Sequence, residues 1–113
     1  HVRVSIKGTS PVEFHALTGA DPAAYELAYR GLDNLIAAGV SCNACIMASF
    51  SSPEGIDSAK DQLRSIAPGL LKSLEIERIK QFPKVRARLK KYELVPNRGK
   101  SCVQGEVIAT DRN

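Results

Sequence analysis

The chain has 113 residues, 43% hydrophobic and 25% charged, with a formal net charge of +4. This length suits one domain with a core that removes about two thirds of the extended-chain surface from water, and no apolar run nears the ~20 residues needed to span a membrane. Three cysteines, Cys42, Cys45 and Cys102, are an odd count in a chain with ample core residues, which argues against a disulfide-stapled secreted scaffold and for a reducing, cytoplasmic setting; the sequence also opens without the basic, apolar and small-residue succession of a signal peptide.

His1 to Lys7 reads as a strand. Side chains alternate along a strand, so Val2, Val4 and Ile6 share one face while Arg3, Ser5 and Lys7 share the other. A polar inner row fits either a barrel whose lumen holds a charged ligand or an edge strand with one wet face. Lys7-Gly8-Thr9 is then the strand-to-helix turn, and Ser10-Pro11-Val12-Glu13 predicts a helix over about residues 11–16. It is a capping box: the Ser10 hydroxyl accepts the Glu13 amide, Glu13 reaches back to the Ser10 amide, and proline occupies the first helical position. Carboxyl ends of strands are where barrels and open α/β sheets place their chemistry.

Asp21-Pro22 starts a second helix of roughly 18 residues. Tyr25, Ala28, Leu32, Leu35 and Ile36 form its apolar stripe, and Gly39 closes it. Residues 40–50 read as an interior strand buried on both faces. Ser52-Pro53 begins a helix to about residue 66, with one further turn over 70–73 after Ala67-Pro68-Gly69. Residues 74–82 form a third strand, and Pro83 leads a basic helix to about residue 91. Beyond it lie a turn signal at Pro96-Asn97-Arg98-Gly99 and a β-prone run from Val103 to Ala109. Strand and helix alternating in this way predict a parallel α/β sheet.

The stretch Val2-Arg3-Val4-Ser5-Ile6-Lys7-Gly8-Thr9, with Glu13-Phe14-His15, Leu17-Thr18-Gly19-Ala20, Leu32-Asp33-Asn34-Leu35-Ile36, Gly39 and Leu74-Glu75-Ile76-Glu77, resembles the radical S-adenosylmethionine (SAM) superfamily. The likeness is to its archaeal members related to pyruvate formate-lyase activating enzyme. It covers roughly residues 1–92 and fades in the tail, residues 93–113. The resemblance implies that residues 1–92 are the C-terminal half of a partial (β/α)6 TIM-like barrel. It also implies that the intact protein is an oxidoreductase or activase that cleaves SAM reductively to a 5′-deoxyadenosyl radical, using a [4Fe-4S] cluster. In activating enzymes of that family, an acid and a lysine two residues apart on this strand contact the SAM ribose and its methionine end. Lys7 matches the lysine and Ser5 stands where the acid is usual, so the implied cofactor-binding residues are Ser5, Lys7, Gly8 and Thr9. The family's C-x-x-x-C-x-x-C motif is absent and would lie upstream of residue 1. The segment alone is then expected to be inactive, on an unknown substrate.

Other groups carry weaker signals. Cys42-x-x-Cys45 resembles a redox pair or half a zinc site, but on a strand a spacing of three sends the two thiols to opposite faces. Both read as small buried hydrophobes, and no metal site is expected. Glu75 and Glu77 share one strand face, with Arg3 as a neighbour if that face is a lumen; an ion pair is favoured over substrate contact. His15 reads as a surface or partly packed histidine. Nine of the sixteen Lys and Arg residues lie between Arg78 and Lys100, where Glu93 is the one acid. This block is expected to be a solvated helix face. A small nucleic-acid-binding or interaction module is the alternative, and it lacks interleaved aromatics, with only Phe82 and Tyr92 flanking the run. Three strands cut from a larger barrel would leave open edges, from which self-association is expected.

Overall fold

The computed structural model describes residues 1–96 and the backbone of 106–109. Four strands, β1 (Val2–Lys7), β2 (Cys42–Met47), β3 (Glu75–Ile79) and β4 (Glu106–Ala109), lie side by side in chain order, and every neighbouring pair is parallel. Helices separate them: α1 (Pro11–Thr18), α2 (Glu26–Ala37), α3 (Pro53–Ile66), the single turn α4 (Gly69–Lys72) and α5 (Pro83–Lys91). The α/β class and the strand-helix alternation are therefore as the sequence implies. Within the predicted tail strand, residues 103–105 lie outside the described residues. Strands two and three are shorter than the apolar runs suggest, because Leu74 is taken into the core just ahead of β3 and Ala48 to Ser51 turn toward α3.

Helix starts follow local chemistry. Ser10 Oγ accepts the Glu13 amide at 3.1 Å, Asp21 Oδ1 accepts the Ala23 amide at 2.9 Å, and Ser52 Oγ accepts the Gly55 amide at 3.0 Å. Each relieves an orphan donor at a helix N-terminus. The second helix is not one continuous α-helix. Pro22–Tyr25 is a 3₁₀ turn, closed by the Ala24 amide on the Asp21 carbonyl at 2.9 Å, and α2 begins only at Glu26. Such tight turns are frequent at helix entries, and residue periodicity does not distinguish them. Gly39, at φ 73°, ends α2 with its amide on Ile36 and the Val40 amide on Leu35. The same pair of bonds ends α5, where Glu93 takes the left-handed position at φ 55°.

One face of the sheet makes the core. Ile6, Ile46 and Ile76 align across three strands, with Val4 and Ala44 one row behind. Tyr29 and Leu32 of α2, Ala59 and Leu63 of α3, and Leu70 of α4 pack on this face, with Phe14 of α1 at its margin. Tyr25 meets Tyr29 edge-on at 5.4 Å between ring centroids, and their hydroxyls share a hydrogen bond of 2.8 Å. Burial pushes both phenols above the usual tyrosine range. No helix among the described residues is long and apolar enough to cross a membrane.

Candidate functional site

The opposite sheet face is polar, and the register orders it into rows. Arg3 pairs with Asn43; Ser5 with Cys45 and then Glu75; Lys7 with Met47 and then Glu77. This follows from alternation: Val4, Ile6, Ala44, Ile46 and Ile76 point into the core, so their odd-numbered neighbours must point away. β1 lies at the edge of the described sheet with Arg3, Ser5 and Lys7 exposed. Among the described residues, it is an edge strand with one wet face.

The middle of this face is a closed polar network. Arg3 Nε donates to Glu75 Oε2, and Arg3 Nη2 donates to Glu77 Oε1 at 2.6 Å and to Cys45 Sγ at 3.2 Å. The Cys45 thiol in turn donates to Glu77 Oε1 at 2.8 Å. Asn43 Nδ2 donates to the Ser73 carbonyl at 3.2 Å and lies 3.4 Å from Glu75 Oε2, while Asn43 Oδ1 and Ser41 Oγ hold the two His1 ring nitrogens. The Glu77 side chain is only 11% exposed, against 43% for Arg3. A carboxylate so deeply set needs a partner, and Arg3 is it. The ion pair anticipated between Arg3 and the two glutamates is present.

The reading of the cysteines holds in part. Cys42 packs against the apolar core and Cys45 points to the polar face, so the strand separates them. Cys45 is not a plain hydrophobe, however, because its thiol sits between a guanidinium and a carboxylate. Burial, with the Glu77 hydrogen bond acting in the same direction, pushes this thiol up to about 12. The neutral thiol is the form that donates to Glu77. Aligning the polar positions of the strands, 3-5-7, 43-45-47 and 75-77, would have placed Cys45 in the network; residue type alone does not.

At the carboxyl ends of the strands the loops lock together. The Glu13 carboxylate accepts the Thr9 amide at 3.2 Å and the Ser51 hydroxyl, and Thr9 Oγ1 lies 3.5 Å from it. Glu13 thus caps one residue earlier than a standard capping box, at Thr9 instead of Ser10. Gly8 turns at φ 85°, where L side chains are strained, and a Cβ there would meet Glu13 Cγ at 3.0 Å. A Cβ on Gly55 would fall 2.3 Å from Thr9 Oγ1, so glycine at this position lets the β1–α1 loop approach the first turn of α3 this closely. Ser49 adds a tie, accepting the Ile79 amide at 2.6 Å.

The four residues singled out from sequence therefore divide. Ser5 and Lys7 stand exposed on the polar face with no hydrogen bond or ion pair among the described residues, whereas Gly8 is buried and Thr9 is engaged with Glu13. His15 is exposed on α1, with Nδ1 2.8 Å from the Ala20 carbonyl. On α5 only Val85 and Leu89 are buried, so Lys84, Arg86, Lys90 and Lys91 face water. The flanking aromatic rings are covered by cations, Lys80 4.8 Å from the Phe82 centroid and Lys91 5.4 Å from that of Tyr92. Both rings remain exposed. No protein-family model, curated protein or solved structure matches the chain.

Proposed function

We propose that this chain is a segment of a radical SAM protein, half of a partial TIM-like barrel, and that Ser5, Lys7 and the turn through Gly8 and Thr9 form part of its SAM site. The observation that carries this reading is the pair Ser5 and Lys7, side by side at the carboxyl end of β1, one an uncommitted hydroxyl and the other an uncommitted cation. Around them the sheet runs in sequential parallel order, with helices packed on its core face, an arrangement compatible with a barrel wall.

The donor set suits the ligand. An ammonium offers a point charge to a carboxylate, and a hydroxyl can both donate to and accept from a ribose. The Glu13 lock fixes the turn that follows Lys7, so the strand end is held in place without spending Ser5 or Lys7 on structure. Bound SAM supplies a reactive carbon centre once an electron reaches it; this chain's part is to bind and orient the cofactor. Cys42 and Cys45 face opposite ways, and among the described residues no three His, Cys, Asp or Glu side chains converge on one point.

Titrating the chain with SAM while following backbone amide resonances tests the reading. Shifts centred on residues 5–9 are expected, lost in Lys7→Ala, which should weaken binding at least ~10-fold, or about 1.4 kcal/mol. Ser5→Asp restores the family's usual acid and should strengthen binding. Millimolar SAM that leaves residues 5–9 undisturbed sinks the proposal.

A further inference from the structure

We infer that the outer surface of α5 is a short phosphate track for single-stranded nucleic acid, with Lys84, Lys90 and Lys91 taking backbone phosphates and Tyr92 taking a base at the end of the track. This surface lies on a different element from Ser5 and Lys7, so it stands or falls apart from the SAM site.

Positive charge is gathered on this element. Residues 80–92 hold six Lys and Arg and no acid, against ten basic and twelve acidic residues in the rest of the chain, so the net charge of the protein comes from this one stretch. A helix face that only needs water ordinarily mixes signs, because Glu and Lys one turn apart support the helix. α5 does the reverse. Arg86 and Lys90 are like charges one turn apart, and Lys84 stands in the first turn, where the helix dipole favours an acid. Among the described residues Lys84, Lys90 and Lys91 make no ion pair. A cluster of like charges arranged against the helix that carries it is relieved when a polyanion binds.

The helix geometry turns these charges into a track. Of α5 only Val85 and Leu89 are buried. Helical spacing sets Lys84, Ala87 and Lys91 in one row on the opposite side, with Lys90 beside it. Ala87 is exposed and small, so a chain of phosphates can run close to the helix between the ammonium groups. Arg86 flanks the row and donates to the Gln81 carbonyl at 3.3 Å. At the far end Lys91 lies 5.4 Å from the Tyr92 ring centroid, and Tyr92 is still 63% exposed. An aromatic ring beside an ammonium complements a nucleotide, which carries a flat base beside a phosphate. A duplex keeps its base faces stacked on one another and has none to offer Tyr92. An anionic bilayer is a poorer match, since a helix lying on a membrane inserts an apolar face and that of α5 is turned into the protein.

Fluorescence anisotropy of the chain with labelled oligothymidylate and oligouridylate of about 12 nucleotides, and with a duplex of equal length, tests the track. The single strands should bind with a slope of log K against log salt of about −2, from about −0.7 for each of three phosphates. Ala87→Lys adds a cation to the row and should tighten binding and steepen the slope by about 0.7, a gain that an unfolded variant cannot give. Ala87→Glu should weaken binding at least about tenfold, with Ala87→Gln close to the native chain. Tyr92→Ala should cost at least about fivefold and Tyr92→Phe should restore it. Lys72→Gln removes the same charge from α4 and should change affinity less than about twofold. Single-strand binding that ignores residue 87 overturns the track, as does a duplex bound equally well with Tyr92→Ala silent. Absence of single-strand binding overturns it too, and binding to phosphatidylserine vesicles in its place assigns the face to a membrane.

Discussion

The two faces of one sheet obey different rules. On the core face, Ile6, Ile46 and Ile76 are each no more than 1% exposed and are held by area and shape. On the other face, Arg3, Cys45, Glu75 and Glu77 are held by direction and charge, while the side chains of Ser5 and Lys7 make no hydrogen bond or ion pair among the described residues. A strand with alternating side chains serves both at once. Substitution should separate the three groups by size of effect.

The core face should respond most. Ile46, fully buried at the centre of the sheet, contacts helices above it and strands on both sides. Ile46→Ala should cost about 2–5 kcal/mol by denaturant unfolding, because a cavity there cannot collapse against a rigid sheet. A loss below 1 kcal/mol would mean that the helices are not seated on this face as described.

Cys45 should give the polar network a signature in pH. Its thiol is raised to about 12 in the folded chain, against 9.0 for an unperturbed group. A raised acid contributes its stability below the unfolded value and loses it as pH climbs to the folded one. Stability should therefore fall between about pH 9 and 12, with Cys45 supplying up to about 1.4 kcal/mol per pH unit. Tyr25 and Tyr29, also raised, fall away in the same alkaline range, so the measurement is the difference in slope between the native chain and Cys45→Ala. Equal slopes would place Cys45 outside the network. Native alkylation followed by peptide mapping offers a second reading, with Cys45 protected until the chain unfolds.

Arg3→Ala should come next, at about 2 kcal/mol. The interaction itself is half-exposed and worth little, but its loss strands the Glu77 carboxylate in a nearly closed position. Arg3→Ala combined with Glu77→Gln should therefore recover much of the loss, a coupling that a double-mutant cycle measures directly. Simple additivity would show that the two charges act independently. Smaller still, and of opposite sign, is Glu93→Gly. Glu93 sits at φ 55° at the end of α5, where glycine carries no Cβ penalty, so a gain of about 1 kcal/mol is expected in the melting curve.

Much of the fold was legible because its signals are local. Alternation at residues 2–7 separates the two faces, and Ser10-Pro11, Asp21-Pro22 and Ser52-Pro53 announce helix starts that the structure places within a residue or so. Arg3 with Glu75 and Glu77 was legible too, once both strands were taken as parallel with their polar faces on one side. What escaped depends on register or on long-range approach. Cys45 looks apolar by type and becomes a donor because the register sets its thiol between Arg3 and Glu77. Glu13 carries a capping signal, yet its contact with Ser51 comes from a loop 38 residues away and has no sequence trace beyond the small residue at Gly55.

Lys7→Ala should have the least effect on stability and is the most informative for that reason. Lys7 is exposed, makes no ion pair among the described residues and ends a strand whose hydrogen bonds to β2 run through the backbone. Surface substitutions of this kind change unfolding free energy by less than about 0.5 kcal/mol. A residue that only closed the strand would be silent in every assay, whereas a ligand-binding lysine is silent in the melt and decisive in the titration. Unfolding of Lys7→Ala measured beside its ligand affinity separates the two. A melt shifted by more than about 1 kcal/mol would assign Lys7 to the fold and remove the support that its free ammonium gives to the proposed site.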